Sequence, residues 1–310
     1  MRLNLPILNI LQDCQNILIA GAGGGFDVFI GLPIYFTLRE MGKTVHLANY
    51  SAIDPKLDTS HLTFMLNGLL LKNEKNNAAL PYFPENALMQ QIDASCIWVI
   101  NALGVIPVTR AYTELVNRLN LDAIILVDGG IDSLMRGDEE RPGTLLEDAI
   151  SLAAVHQMNI PIKILACLGF GTESDISHYR ILENIATLAK TGAFWGCCAL
   201  TSEMEAFQFY ESACCYVWEQ DRQPPGYIHK QITKAVNGEF GSAEQKHFIS
   251  PLMSLYWFFD LDGVAAQNEL IPSLRETHTL DEALSAYLQF KKLIQMRKLL
   301  QLRLARSIPY

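Results

Sequence analysis

The chain carries the stretch Asn16-Ile17-Leu18-Ile19-Ala20-Gly21-Ala22-Gly23-Gly24-Gly25-Phe26-Asp27. A short apolar run ends in four glycines within five residues, followed by an aspartate and a long helical pattern. This order predicts a buried strand, a tight turn and the start of a helix. Helix N-termini present free N–H groups that bind anions, and glycine lets backbone approach a ligand closely. The stretch therefore predicts a ligand-binding turn at the end of a strand.

The same alternation of apolar runs and helical patterns continues along the chain. Runs rich in Ile, Val and Leu at 16–20, 44–48, 96–100, 123–127 and 162–168 predict strands buried on both faces, as in a parallel sheet. Helical periodicity occurs between them at 27–41, 84–92, 108–119 and 143–157. This alternation predicts an α/β fold, Rossmann-like and doubly wound, with a mostly parallel sheet.

The pattern changes after residue 176, where helical stretches at 177–190, 201–219 and 227–237 dominate. One apolar run at 252–261 is interpreted either as a late strand or as a packing segment. We expect a single α/β domain over residues 1–310. Its Rossmann-like core would span 1–175, and a mainly helical C-terminal part, 176–310, would pack on that core.

Composition narrows the class of protein. The chain has 310 residues, half of them hydrophobic, and a net charge of −9, which disfavours a nucleic-acid partner. Seven cysteines without a zinc-type pattern or a secretory signal favour a cytoplasmic protein. The adjacent residues Cys197 and Cys198 are interpreted as ordinary residues of a helix rather than as a redox pair. No apolar run is long enough to span a membrane. The basic stretch 291–306 leaves an acidic partner, a membrane surface or a homo-oligomer contact open.

The glycine turn matches neither common nucleotide fingerprint. Gly21 and Gly23 fit the dinucleotide pattern GxGxxG, but Phe26 occupies the third glycine position, and no Lys-Ser/Thr follows as in a P-loop. Asp27 would repel phosphate and suits a ribose hydroxyl, a metal or an amine. It is equally interpreted as a helix N-cap. The predicted ligand-binding residues of this turn are Gly21, Gly23, Gly24, Gly25 and Asp27.

A second glycine-rich loop follows the strand at 123–127 and is strongly acidic. Between 128 and 148 lie Asp128, Asp132, Asp138, Glu139, Glu140, Glu147 and Asp148. Such a density suits a divalent cation such as Mg²⁺, or a general base. We assign Asp128 and Asp132 to catalysis or metal binding and expect Glu139 and Glu140 to be solvated.

Three other features of this acidic loop are predicted either to contact the ligand or to have a structural role. Gly129 and Gly130 are predicted to contact the ligand. Arg136 either clamps a phosphate or carboxylate, or pairs with Asp138. Thr144 with Glu147 forms a capping box, for which a structural role is sufficient.

A third glycine-rich loop follows the strand at 162–168 and opens a helix. Gly169, Gly171 and Thr172 are predicted to contact the ligand, and Glu173 and His178 are candidate catalytic acids or orienting groups. His178 is the only histidine beside a glycine-rich strand end, a position that suits a proton carrier. Since parallel strands end at one edge of a sheet, the three loops should converge on one rim.

Taken together, these loops are similar to an uncharacterised prokaryotic family, domain-of-unknown-function family 1152. The resemblance covers most of the chain, and no established activity comes with it. It rests on Gly21–Gly25 with Asp27, Val127–Ser133 with Arg136–Glu139, Gly143-Thr144 with Glu147-Asp148, Gly169–Glu173 with His178–Arg180 and Leu182–Asn184, and Pro251–Phe258.

The residues favour an enzyme, a hydrolase or transferase acting on a nucleotide-like or other phosphate- or ribose-bearing small molecule. The alternative is a non-catalytic nucleotide-binding sensor. An NAD(P)-dependent oxidoreductase is the weaker alternative, because the fingerprint is broken and no acid ends the second strand to bind a ribose.

Overall fold

The structure, a computed structural model, describes residues 6–51, 62–64, 69–72, 84–92, 96–139, 145–219, 226–243 and 247–306. Eleven strands are found in these residues. They are β1 (Asn16–Gly21), β2 (Thr44–Ser51), β3 (Leu62–Phe64), β4 (Leu69–Lys72), β5 (Ile97–Asn101), β6 (Ala123–Gly129), β7 (Ile162–Leu168), β8 (Phe194–Ala199), β9 (Gly241–Ala243), β10 (His247–Ile249) and β11 (Leu255–Asp260).

Nine of the strands form one sheet in the order β3-β4-β5-β2-β1-β6-β7-β11-β8, and β9 and β10 pair separately as a two-stranded antiparallel sheet. The five central strands, β5 to β7 in this order, are parallel. Antiparallel neighbours extend the sheet at both ends. The mostly parallel sheet predicted from the apolar runs is confirmed.

Five strands, β3, β4, β8, β9 and β10, are absent from the sequence-based prediction, and the segment with Cys197 and Cys198 was assigned wrongly. The apolar run at 252–261 contains β11, which pairs antiparallel with β7 and β8. Cys197 and Cys198, expected in a helix, lie in β8 at the edge of the sheet. An edge strand is partly exposed and lacks the continuous apolar run that marks a central strand, so β8 carried no clear signal.

Helices cover both faces of the sheet, as in a doubly wound fold. They are α1 (Asp27–Ile30), α2 (Leu32–Glu40), α3 (Pro84–Gln91), α4 (Val105–Leu119), α5 (Leu145–His156), α6 (His178–Thr191), α7 (Glu205–Trp218), α8 (Tyr227–Val236), α9 (Leu261–Gln267), α10 (Ile271–Leu274) and α11 (Leu280–Arg306). The helices α1, α2, α3 and α7 pack on one face, and α4, α5, α6 and α9 to α11 on the other. None of the described helices is both long and apolar enough to cross a membrane.

The helical pattern at 27–41 forms two helices rather than one. The break falls at Gly31, where a Cβ atom would lie 2.3 Å from Cγ2 of Ile19. Pro33 then occupies the first turn of α2, a position that proline tolerates because its missing N–H needs no partner there. The close packing of Gly31 on β1 therefore brings α1 tightly against the end of the strand.

The strand order places a topological switch point between β1 and β6. From β1 the chain moves outward to β2 and β5, and then returns to the opposite side of β1 to form β6 and β7. The N–H of Ala22 still donates to the carbonyl of Val127 at 2.9 Å beyond the paired strands. In open α/β sheets, ligands bind at such a switch point, outside the carboxyl ends of the strands.

Candidate functional site

The glycine turn after β1 places Asp27 between two strand ends. Gly24 and Gly25 have φ of +90° and +58°, a region that glycine adopts without strain. Phe26, not Asp27, is the N-cap of α1, so the N-cap interpretation of Asp27 is wrong. Its carboxylate instead accepts N–H groups from Gly23 at 2.7 Å and from Gly129 at 3.3 Å. Asp27 thereby joins the turn after β1 to the end of β6.

Asp128 lies near the end of β6, and its carboxylate is almost completely buried. One oxygen accepts the backbone N–H of Ser133 at 3.2 Å and also the hydroxyl of Ser133. These bonds hold the 3-10 turn Asp132–Leu134 against the strand end. Burial, with the nearby Asp132 carboxylate, raises the pKa of Asp128 to about 7.

Asp148 reaches the same place from the first turn of α5. Its side chain is buried, and its Oδ1 atom has no hydrogen-bond partner among the described residues. Gly23 makes this approach possible, because a Cβ atom there would lie 2.9 Å from Asp148 Oδ2. Burial and the charges of Asp132, Asp128 and Asp27 raise the pKa of Asp148 well above its usual range.

Asp27, Asp128 and Asp148 form what we call the acidic cluster. Each offers one carboxylate oxygen, and the three oxygens lie within 4.8 Å of one another. Within the described residues, none of the three forms an ion pair with a lysine, arginine or histidine. Like charges this close in a buried site repel strongly, so the cluster must bind either protons or a cation.

Asp132 and Glu173 flank the acidic cluster. Asp132 is buried and close enough to raise the pKa of every member of the cluster. Glu173 accepts the N–H of Ile131 at 2.8 Å, and its own pKa is raised well above the usual range by burial, then by Asp132 and Asp128. Gly130, at φ +137°, leaves room for this carboxylate, because a Cβ atom would lie 2.7 Å from Glu173 Oε2.

The remaining predicted residues of the acidic loop lie away from the cluster. Arg136 pairs with Glu269 at 3.5 Å, and not with Asp138. Glu139, expected to be solvated, is buried and accepts backbone N–H groups from Arg136 and Gly137 at 2.8 Å. Glu140 and the Thr144 capping box lie outside the described residues. The polar groups of this segment therefore mainly hold its own backbone.

In the third loop the predicted residues shape a turn beside Glu173. Gly169 and Gly171 have φ of +105° and +98°. The N–H and the hydroxyl of Thr172 both donate to the carbonyl of Gly169, at 3.0 and 2.9 Å. His178 is exposed, and its Nε2 donates to the backbone oxygen of Glu173 at 3.2 Å, outside the acidic cluster. The loop thus orients Glu173 through backbone contacts.

The family described as "protein of unknown function (DUF1152)" matches residues 76–292. The chain belongs to the DUF1152 family. The matched range contains Asp128, Asp148 and Glu173 of this DUF1152 protein, whereas Asp27 and the glycine turn precede it. No curated protein sequence is similar enough to count as a match.

Two solved structures are weakly similar to this chain. One is a deacetylase–bog complex in the biosynthesis pathway of teicoplanin, 10% identical, with 79% of this chain and 97% of that chain covered and a TM-score of 0.37. The other is the zinc-inhibited form of teicoplanin deacetylase Orf2, 8% identical, with the same coverage and a TM-score of 0.31. Similarity this low supports no conclusion about activity.

Two buried residues that support the glycine turn of this DUF1152 protein were not predicted from sequence. Asn49, at the end of β2, donates through Nδ2 to the carbonyl of Gly25 at 2.9 Å and to Glu85 at 2.7 Å. A polar residue ending an apolar strand is a signal that could have identified Asn49. Glu85 comes from α3, and no local pattern marks it.

The third unpredicted support is His229 of α8, which is buried against the aromatic rings of Phe26 and Phe29. Its Nδ1 atom lies 2.8 Å from the hydroxyl of Tyr210, and the ring also hydrogen-bonds the backbone of Phe26. Burial lowers the pKa of His229 to about 4. A neutral histidine therefore anchors the residue that precedes Asp27.

Proposed function

We propose that this protein is a divalent-cation-dependent hydrolase or transferase that acts on a phosphate-bearing, nucleotide-like small molecule. The observation that carries the proposal is the acidic cluster. Three carboxylates, from the start of α1, the end of β6 and the first turn of α5, lie together at the switch point of the sheet. One buried oxygen of Asp148 has no hydrogen-bond partner among the described residues. A cation would supply that partner and offset the repulsion between the three charges.

The geometry and chemistry of the donors favour a hard cation such as Mg²⁺. Both Mg²⁺ and Ca²⁺ take oxygen ligands, and oxygens on opposite sides of one ion lie about 4 Å apart for Mg²⁺ and about 5 Å apart for Ca²⁺. The three oxygens of the acidic cluster all lie within 4.8 Å of one another, which is compatible with one hard cation of either kind. Mg²⁺ commonly binds one or two protein carboxylates together with substrate phosphates, which supports a phosphate-bearing ligand here.

The residues around the cluster divide into three proposed roles. Asp27, Asp128 and Asp148 would hold the cation, which when bound stabilises negative charge on a phosphoryl group. Asp132, which is buried, or Glu173, which is partly exposed, would accept a proton from the attacking nucleophile. Asn49 and His229 hold the glycine turn and so fix the position of Asp27.

Cation binding and turnover can be tested separately. Isothermal titration of metal-free protein with MgCl₂ or MnCl₂ should give one site, and Asp128→Asn should weaken it at least tenfold. Asp260→Asn is the matched control. The Asp260 side chain accepts the N–H of Gly263 and so caps α9, and it lies beside the start of β7, whereas the cluster lies at the carboxyl ends of the parallel strands. Wild-type protein that binds neither ion at millimolar concentration would rule out the metal-dependent mechanism.

Turnover is read by incubating the Mg²⁺-loaded protein with a panel of nucleotides and sugar phosphates and identifying products by mass spectrometry. A released phosphate or a transferred group supports the enzyme, and Asp132→Asn should then lower the rate at least a hundredfold. Tight nucleotide binding without any product would instead favour the sensor.

A further inference from the structure

A cavity of about 240 Å³ lies between the loop that follows β7, which also carries Glu173, and the segment around β10. Its lining residues are Phe170, Gly171, Ser174, His178, Phe248, Ser250 and Leu252. Phe170 is buried at its base, where its ring packs against Trp257 and His178 at centroid distances of 5.3 and 5.7 Å. The wall therefore combines aromatic and apolar groups with polar surface, which includes two serine hydroxyl groups and a histidine ring.

The rim of this cavity exposes apolar side chains to solvent. Phe248 is 54% exposed and Leu252 is 41% exposed. Phe240 is 72% exposed and stacks edge-on against Phe248 with ring centroids 5.0 Å apart. Exposed apolar groups that border a concave surface are typical of ligand-binding sites, and the stacked pair holds Phe248 at the mouth of the cavity.

One loop separates the cavity from the acidic cluster. Gly171 and Ser174 line the cavity, whereas Glu173, between them in the chain, points its carboxylate to Ile131 and the cluster. His178, in the cavity wall, bonds the backbone oxygen of the same Glu173. Consecutive Cα atoms are about 3.8 Å apart, so the cavity and Glu173 lie on either side of one short backbone segment.

We infer that the cavity binds the planar heteroaromatic ring of the ligand, a nucleobase, while the acidic cluster faces its phosphate end. The inference rests on the proposed function, and it adds the place where the ring of that ligand binds and the residues that select for it. The rings of Phe248, His178 and Phe170 offer faces and edges for stacking. The hydroxyls of Ser174 and Ser250 can hydrogen-bond the polar edge of a base, which an apolar ring would not need.

The test compares the four ribonucleoside 5′-monophosphates with ribose 5-phosphate, which lacks the ring, in saturating Mg²⁺. At least one nucleotide should bind about tenfold more tightly than ribose 5-phosphate, as expected for one stacked base. Phe248→Ala should remove that preference without changing the affinity for ribose 5-phosphate, and Phe248→Trp should restore it. Tyr179→Ala, an 81% exposed aromatic outside the cavity lining, is the matched control.

Equal affinity for all five compounds, or an unchanged preference in Phe248→Ala, would overturn the inference. Titration with Mg²⁺ alone reports on the acidic cluster and is independent of the ring. Loss of Mg²⁺ binding with a retained Phe248-dependent preference would refute the proposed function and leave the aromatic site standing. Mg²⁺ binding without any preference for a ring would refute the aromatic site and leave the proposed function standing.

Discussion

Replacing Asp148 by Asn should make the metal-free protein more stable while removing its response to Mg²⁺. The buried carboxylates of Asp27, Asp128 and Asp148 offer oxygens within 4.8 Å of one another. Two unit charges about 5 Å apart repel by roughly 3 kcal/mol at an effective dielectric constant of about 20. Asp148 faces two such charges, and one pair is counted here because the raised pKa values of Asp27 and Asp148 keep part of the cluster protonated. Removing one charge from the cluster therefore relieves repulsion, whereas removing a buried carboxylate from an ordinary site destabilises a protein.

The net gain in the free energy of unfolding is smaller than this repulsion energy. A carboxylate in the first turn of a helix contributes roughly 0.5 kcal/mol, which Asp148→Asn loses. A net gain of about 2 kcal/mol remains. For 310 residues, an unfolding entropy of about 2 cal/mol/K per residue converts this into a rise in Tm of about 3 °C.

The assay is differential scanning calorimetry at pH 8.5, where the carboxyls ionise most fully, in EDTA and then in saturating MgCl₂. In EDTA, Asp148→Asn should unfold about 3 °C above wild type. Asp260→Asn should unfold at the same temperature as wild type, because asparagine also caps a helix well. At a hundred times its Kd, Mg²⁺ stabilises the wild type by about 2.7 kcal/mol, or about 4 °C. The variant should gain less than about 1 °C.

Two results would refute this reasoning. If Asp148→Asn unfolds below wild type in EDTA while Asp260→Asn is unchanged, the carboxylate is stabilising and the three charges do not repel as the geometry requires. If Mg²⁺ raises the Tm of the variant as much as that of wild type, the ion binds elsewhere.

Three further predictions concern the same site. The folded-state pKa of Asp128, about 7, lies above the 3.8 of an exposed aspartate. Its contribution to stability is therefore complete below about pH 4 and falls by on the order of 4 kcal/mol in all as pH rises through 7. About 3 kcal/mol of this fall lies between pH 5 and pH 8.5, where urea unfolding in EDTA measures it. His229→Ala leaves the buried hydroxyl of Tyr210 without its partner and opens a cavity, so it should lower the urea-unfolding free energy by about 3 kcal/mol. Gly23→Ala would place a Cβ atom 2.9 Å from Asp148 Oδ2 and should weaken Mg²⁺ binding about tenfold, as measured by titration.

Each of these predictions has an opposing outcome. Stability in EDTA that is flat or rising between pH 5 and 8.5 would contradict the raised pKa of Asp128. Unchanged unfolding of His229→Ala would show that the histidine does not anchor the turn before Asp27. Wild-type Mg²⁺ affinity in Gly23→Ala would show that the approach of Asp148 to Gly23 is not needed for the ion.

Local patterns were sufficient for the class of fold. Continuous apolar runs marked the central strands β1, β2, β5, β6 and β7, because these strands are buried on both faces. The short or partly exposed strands β3, β4 and β8 lacked that signal, and β8 was mistaken for a helix. Patterns report burial, so elements at the edge of the sheet are the ones that sequence reasoning misses.

The acidic loop shows which part of the site could not be predicted from the sequence. Asp128 was singled out because it follows a strand. Asp148 was counted among the acids of this stretch without a role of its own, yet it completes the acidic cluster, and Arg136 pairs with Glu269. These side chains meet partners far away along the chain, and no spacing within the loop reveals such partners.

The sequence by itself determined that glycine-rich turns would follow buried parallel strands and meet at one edge, because every parallel strand ends at the same side of its sheet. Only the tertiary structure decided which carboxylates would touch. The glycine turn that begins at Gly21 became part of an acidic site because β6 pairs with β1 and α5 brings Asp148 against Gly23. Strand order is set by long-range packing of the helices on both faces, and the direction of each carboxylate is set by backbone hydrogen bonds from neighbouring loops.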